Sequence, residues 1–497
     1  MIPKNIIFTY KEQKSSEGFS FPPMYEENLY LLKRFNSEYN YLFFSDNDMD
    51  EFIKSNYNDY YEFYKNLPKI IMKTDFFRLL AVYHYGGFYF DMDMRITKNL
   101  DDLLDNKCVF PLEWEMTEEH FNVRHRVKFN NKKHNLTQIG NYGFGSVKNN
   151  FFLLEVIRNI ISRFVITDYY NDYDVLYYTG PDVLNFTLWN TKEQNITIIE
   201  GSNSLPFKKR DWGSNQWHKF GNYGEHLLSN SWIEDNIQYY YGNYCKNDDN
   251  LSLEIIGTNE NNELWLDFIE KSYPIIKDVV QKVLPINENC PDNVAVIIEP
   301  RKHKNLEYVI KNVMYFLPEN EWGMQIFCGN INYNFVVNIC KNFPNIEIIK
   351  MDVNNLSFWD HSYLKKSVTF WNKVKGNKQL FFQTDSILRK RNINEFLKYD
   401  LVGAPWKWDI ENKVGNSGIC LMDKRKSMYI CEKYYNDNDV DDIFFANNYI
   451  KENYNVATID EAKKFSVEAI YYDNPLAIHK PWLWLEENLV ENLLKIY

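Results

Sequence analysis

Apolar residues along this chain change period in a repeating order. Ile6-Ile7-Phe8 is a short apolar run, Tyr25, Leu29, Leu32 and Phe35 recur at helical spacing, and Tyr41-Leu42-Phe43-Phe44 is a run again. A second helix is predicted from Ile70 to Tyr85; Gly86-Gly87 stops it, and Phe88-Tyr89-Phe90 reads as a buried strand. Strand, helix, strand, helix, strand predicts a parallel sheet with a nucleotide-type crevice at the strand C-termini.

The order restarts late in the chain. Val294 to Ile298 reads as a strand, Leu306 to Leu317 as a helix, Met324 to Cys328 as a strand, Phe335 to Cys340 as a helix and Ile346 to Ile349 as a strand. A helix around Tyr363 to Val374 then precedes the apolar run Leu380-Phe381-Phe382, which ends in Gln383-Thr384-Asp385. Residues 241–290 between the halves are mixed, with polar patches and a helical segment from Leu264 to Leu284. They are expected to be a linker, or a helix completing the first domain, so the domains are placed at 1–240 and 291–497.

Length agrees with this division, since 497 residues is about three typical single domains. A net charge of -12 with no sustained basic run argues against nucleic acid, whose phosphates call for clustered Lys and Arg. No stretch approaches the roughly 18 apolar residues of a membrane span, and the N-terminal apolar run is too short for a signal peptide. Seven cysteines without a C-x-x-C pair suggest neither a disulfide framework nor a zinc knuckle, and fit a reducing compartment. A cytoplasmic location is expected, in a host cytoplasm if the chain is viral. The many Tyr and Phe are read as coding bias more than as sugar-stacking surfaces.

The stretch "HYGGFYFDMDMR" (84–95) carries the candidate chemistry. D-x-D occurs six times here, usually as solvated loop acids, but only Asp91 and Asp93 follow an apolar strand preceded by a glycine pair. In extended backbone, residues i and i+2 point the same way, so both carboxylates face one site. Two acids held together are tolerable when a divalent cation lies between them and a ligand, as Mg²⁺ or Mn²⁺ does between carboxylates and substrate phosphates. Upstream, Asp75 and Arg78 are one helical turn apart, the spacing of an ordinary surface ion pair. A haloacid-dehalogenase-type phosphohydrolase also has D-x-D at a strand end, but needs Thr or Val at the fifth position, where Arg95 stands.

Several stretches together carry a resemblance: "IPKNIIFTY" at the start, "KTDFFRLLAVYHYGGFYFDMD" (73–93), "NYGFGSVKNNFF" (141–152), "YTGPDVL" (178–184) and "HLLSNSW" (226–232). In these the first half resembles glycosyltransferase family 32, the Och1-like and capsular polysaccharide sugar transferases with a DXD motif. The resemblance implies a GT-A fold, a nucleotide-sugar donor (UDP- or GDP-sugar), Mn²⁺ or Mg²⁺, and retention of anomeric configuration. It implies that Asp75 and Arg78 hold donor sugar hydroxyls, that Tyr89, Asp91 and Trp232 line the donor site, and that Asp91, Asp93 and His226 surround the metal. The chain departs from the family at its usual H-Q-T-W, where it has "IFTY".

The second half carries "LFFQTDSIL", "YDLVGAPW", "VGNSGICLM", "DDIFF", "FSVE" and "LAIHKPW". This series resembles DUF5672, a family similar to GT-A glycosyltransferases. The resemblance implies that Asp385 and His479 are metal ligands. Asp442 is expected to act as the base that deprotonates an acceptor hydroxyl, Gly415 and Gly418 to let a ligand approach the backbone, and Trp406 and Trp408 to form a stacking platform. The fold expected is α/β, two GT-A-like Rossmann-type domains in tandem with mainly parallel sheets. The function expected is a bifunctional metal-dependent glycosyltransferase acting on a glycan or glycoprotein acceptor. The alternative is one active half beside a non-catalytic glycan-binding or scaffolding half.

Overall fold

A computed structural model describes residues 1–12, 19–115, 137–166, 170, 172–193, 195–201, 218–227, 262–280, 282–286, 290–407, 414–435, 437 and 439–495. The chain divides into two compact α/β units, Met1–Ser15 with Tyr25–Ile237, and Ser16–Met24 with Gln238–Tyr497. Among the described residues no helix is long and apolar enough to cross a membrane.

The first unit begins with β1 (Asn5–Thr9), β2 (Asn40–Phe44) and β3 (Gly87–Phe90), and continues with β4 (Met94–Ile96), β5 (Cys108–Glu115), β6 (Thr137–Ile139), β7 (Gly143–Ser146) and β8 (Ile196–Ile199). Its main sheet runs β2-β1-β3-β7-β5-β6 with β8 also on β5. β1 pairs in parallel with both β2 and β3, whereas β7 runs antiparallel to β3. The predicted helix spans Ile70–Tyr85, with Phe76, Phe77 and Leu80 in the core. Its end is forced by Gly86 (φ 65°) and Gly87 (φ 114°), and a Cβ on Gly87 would lie 2.4 Å from the Asn5 carbonyl oxygen. Only glycine lets β3 enter so close beside β1. A small antiparallel sheet of β4, β9 (Lys219–Phe220) and β10 (Gly224–His226), in the order β4-β10-β9, stands beyond the end of β3.

The second unit repeats this plan. Its strands are β11 (Asn293–Ile298), β12 (Trp322–Cys328), β13 (Glu347–Lys350), β14 (Lys378–Phe382), β15 (Ser386–Leu388), β16 (Leu401–Pro405), β17 (Val414–Asp423), β18 (Ser466–Val467) and β19 (Ala477–His479). The main sheet runs β13-β12-β11-β14-β17-β16; its first four strands are mutually parallel, β17 runs antiparallel to them, and β16 pairs antiparallel with β17. A small sheet in the order β15-β19-β18 lies beyond the end of β14.

Two sequence expectations differ in detail. The helix around 363–374 is two, Phe358–Lys365 and Val368–Lys373, with Ser367 capping the second through the Phe370 amide. The helical segment between the halves is Glu263–Ile276, and it completes the second unit, since Trp265, Phe268 and Ile276 lie in that unit's core. Sequence periodicity shows an amphipathic face without showing which core receives it.

Candidate functional site

In the first unit the helix Ile70–Tyr85 and the end of β3 bring four expected residues together. Asp75 and Arg78 are not a surface pair; both side chains are 4 % exposed, with Nη2 to Oδ1 at 3.2 Å. Arg78 Nη1 reaches Asp91 Oδ1 at 3.3 Å and donates to the Asn141 carbonyl at 2.9 Å, while its guanidinium lies 4.8 Å from the Tyr89 ring centre. The Tyr89 hydroxyl donates to Asp91 Oδ1 at 2.8 Å and lies 3.3 Å from the Thr9 hydroxyl. Asp75 also accepts from the Asn141 amide and the Thr179 hydroxyl. Burial raises its pKa to about 6, although Arg78 and the Thr179 bond pull it down. Asp91 is likewise raised by burial against the pull of Arg78. Its side chain keeps 26 % exposure, so this acid faces both the Arg78 network and open space.

Asp93 meets His226 across the small sheet. β10 pairs antiparallel with β4 so that His226 stands opposite Met94, the residue after Asp93, and Nε2 lies 3.1 Å from Asp93 Oδ1. The Tyr142 ring stacks on the imidazole at 4.7 Å. Burial depresses the His226 pKa, but Asp93 and then Asp91 outweigh it and leave it raised. Asp91, Asp93 and His226 each offer one ligand atom, all within 4.8 Å of one another. Two hard oxygens and an imidazole nitrogen suit Mg²⁺ or Mn²⁺, so these residues fit the ion implied by the sequence. Trp232 lies outside the described residues.

The second unit presents a pocket of about 320 Å³ at the C-terminal ends of β11 and β14. Glu299, Arg301, Gln383, Asp385, Asp442 and Lys480 are among its walls. The register of the first unit recurs: β19 pairs antiparallel with β15, His479 stands opposite Ser386, the residue after Asp385, and Nε2 lies 3.2 Å from Asp385 Oδ1. Asp385 is held below the usual carboxylate range, burial being outweighed by His479 and Lys480.

Glu468 was not anticipated. It is buried and approaches the other imidazole nitrogen, Nδ1, at 3.4 Å. Its only sequence signal was its place at the end of "FSVE", directly after β18. Among the described residues no third His, Cys, Asp or Glu joins Asp385 and His479 in a group that could hold an ion.

Asp441 and Asp442 open the helix Asp441–Lys451, where the dipole favours acids. Asp441 is buried on Lys365 at 2.9 Å and donates its backbone amide to the Ser362 hydroxyl. Both acids border the pocket, and Asp442, with no such cation partner among the described residues, has its pKa raised to about 6 by burial and by Asp441.

The tryptophan expectation needs correction, whereas the glycine one does not. Gly418 lines the pocket, and the His479 ring packs on its Cβ side: a Cβ there would lie 2.0 Å from Cε1. Trp406 is 2 % exposed and is a core residue, not a stacking platform, and Trp408 is outside the described residues. Gly418→Ala is therefore expected to push His479 off Asp385 and destabilise the second unit by about 1–3 kcal/mol, measurable by thermal unfolding.

Residues 25–110 match the family described as glycosyltransferase sugar-binding region containing DXD motif. Residues 345–479 match the family described as protein of unknown function DUF5672. The inositol phosphoceramide mannosyltransferase 3 of Schizosaccharomyces pombe is 29% identical over 153 residues, 31% of this chain and 36% of that protein. The initiation-specific alpha-1,6-mannosyltransferase of Candida albicans is 33% identical over 107 residues, 21% of this chain and 27% of that protein. The chain thus spans between about a quarter and little more than a third of the length of the curated relatives it matches. Among solved structures, mouse xyloside xylosyltransferase 1 aligns with 38% of this chain and 98% of its own at 10% identity and a TM-score of 0.27.

Proposed function

We propose that the first unit is a metal-dependent glycosyltransferase that moves a sugar from a UDP- or GDP-sugar to a hydroxyl of a glycan or glycoprotein acceptor. The observation that carries this reading is the convergence of Asp75, Arg78, Tyr89, Asp91, Asp93 and His226 at the end of β3. The family match over 25–110 and the mannosyltransferase relatives support it.

Asp91, Asp93 and His226 would hold Mn²⁺ or Mg²⁺, and such an ion, when bound, neutralises a departing diphosphate. Asp75 and Arg78 bind and orient the sugar hydroxyls. Arg78 is fixed for that task by Asp91, Asp75 and the Asn141 carbonyl, so little of its freedom remains to be lost on binding. We assign retention of configuration to this unit, following the resemblance on which the reading rests.

The second unit is proposed to be a second transferase, with its donor diphosphate toward Asp385, His479 and Lys480 and with Asp442 as the base that takes the acceptor proton, an inverting arrangement. Asp442 supports this by bordering the pocket. A base must be ionised, and with a pKa raised to about 6 its carboxylate form is lost as pH falls below that value. Transfer by the second unit is therefore expected to fall about tenfold per pH unit below 6. Asp442→Asn is expected to abolish that limb together with most of the rate.

The first test is to incubate the full-length protein with a panel of UDP- and GDP-sugars and Mn²⁺ and follow nucleotide release and sugar transfer. Transfer that survives Asp91→Asn with Asp93→Asn and disappears with Asp442→Asn would reassign the chemistry to the second unit alone.

A further inference from the structure

In the two small sheets the pair β4/β10 corresponds in register to the pair β15/β19, although β9 runs antiparallel to β10 and β18 parallel to β19, and two exchanges stand out between the corresponding pairs. β3 ends at Phe90 and β14 at Phe382, so Asp91, Met92 and Asp93 correspond to Gln383, Thr384 and Asp385. His226 and His479 occupy the same register opposite the residue that follows the shared acid. The next residue also corresponds: the Leu227 amide donates to the Asp93 carbonyl at 3.0 Å, and the Lys480 amide to the Asp385 carbonyl at 3.1 Å. Where the first unit has Asp91 and Leu227, the second has Gln383 and Lys480. One negative charge is lost and one positive charge gained at equivalent places.

The geometry points to a second pocket that binds the diphosphate of its ligand with the ammonium of Lys480, without a divalent metal. This rests on reading that pocket as a donor site. Lys480 Nζ lies 4.0 Å from Asp385 Oδ2, on the acid that would otherwise face an ion, and the side chain lines the pocket. Its backbone is held at φ 32°, a conformation that a non-glycine residue adopts at some cost, with the amide tied to Asp385.

The residues do not suit a metal as those of the first unit do. Two protein donors remain instead of three, Gln383 offers no charge, and an ammonium repels a second cation at that distance. His479 lies between Asp385 Oδ1 at 3.2 Å and Glu468 Oε1 at 3.4 Å, so carboxylates face both ring nitrogens. Arg301 is spent on Glu299, to which it donates twice at 2.8 and 2.6 Å. Lys480 is thus the cation placed to meet phosphate oxygens beside Asp385 and His479. The first unit has a leucine at this position and so no ammonium there.

The test uses the full-length chain carrying Asp91→Asn and Asp93→Asn, so that only the second pocket is read. Inorganic pyrophosphate, UDP, GDP, ADP and CDP are titrated calorimetrically in excess EDTA and again with Mn²⁺. At least one is expected to bind once per chain, with Kd differing less than threefold between the two conditions. Adding Lys480→Leu is expected to weaken binding at least tenfold in EDTA, and Lys480→Arg to keep it within threefold. The chain with Gln383→Asp and Lys480→Leu together, which installs the residues of the first unit, is expected to bind only when Mn²⁺ is present.

Binding that requires Mn²⁺ in the unaltered second pocket would overturn the inference while leaving the pocket a nucleotide site. An exchanged chain indifferent to Mn²⁺ would overturn it as well. Absence of binding in both conditions would remove the donor-site reading together with the inference.

Discussion

Replacing Asp91 and Asp93 together by Asn is expected to lower sugar transfer by the first unit at least about a hundredfold, the scale on which a group facing developing charge contributes to a rate. The substitution keeps volume and removes charge. Asp93 loses its pairing with His226 at 3.1 Å, and Asp91 its ion pair with Arg78 at 3.3 Å. Asn offers one carbonyl oxygen where a carboxylate offers two charged ones, so the three-atom group drawn from Asp91, Asp93 and His226 loses its attraction for a divalent ion. Initial rates measured across a Mn²⁺ titration check this. The expected pattern is a rate that excess Mn²⁺ does not restore. A double variant with undiminished transfer would leave the first-unit assignment without its chemistry.

Arg78→Met is expected to be the most destabilising single change in the first unit, by about 3–5 kcal/mol, because removing one partner of a buried ion pair leaves uncompensated charge. Arg78 is the cation between Asp75 and Asp91, and its own side chain is 4 % exposed. The loss should depend on pH in a defined direction. Asp75 already has a folded pKa of about 6, above its ordinary value. Such a carboxyl binds more protons folded than unfolded, so its presence favours the fold increasingly as pH falls toward the unfolded pKa and disfavours it as pH rises through the folded one. Without Arg78 both acids move further upward. The deficit of Arg78→Met against the unaltered chain should thus shrink between pH 7 and pH 5. Denaturant unfolding at those two pH values measures it; a deficit that is constant or grows on acidification would contradict the account.

The candidate site was legible where its signals were local. The helix Ile70–Tyr85, the glycine stop and the buried strand before Asp91 all follow from spacing and from the backbone freedom of Gly86 and Gly87. Asp75 and Arg78 were legible as neighbours but not as buried ones, because i,i+3 spacing is the same on a wet face and on a face turned into a site. Glu468 and Lys480 were not legible as site residues. Each is a common charged residue beside a two- or three-residue strand, and no periodicity marks what such a strand pairs with. Trp406 erred the other way: an aromatic next to a glycine-rich stretch suggested a platform, and burial at 2 % makes it core.

By itself the sequence determined the alternation of strands and helices, its recurrence in the second half, and the arrival of Asp93 and Asp385 at the ends of buried strands. Those properties depend on side-chain period and on residues adjacent in the chain. Only the tertiary structure decided the register that sets His226 on Asp93 and His479 on Asp385, that the helix Glu263–Ile276 completes the second core, and that an ammonium stands beside Asp385 where the first unit has Leu227. Those depend on strand register between segments far apart in sequence. Register is chosen by the packing of whole sheets, a sum of many contacts that no local stretch contains.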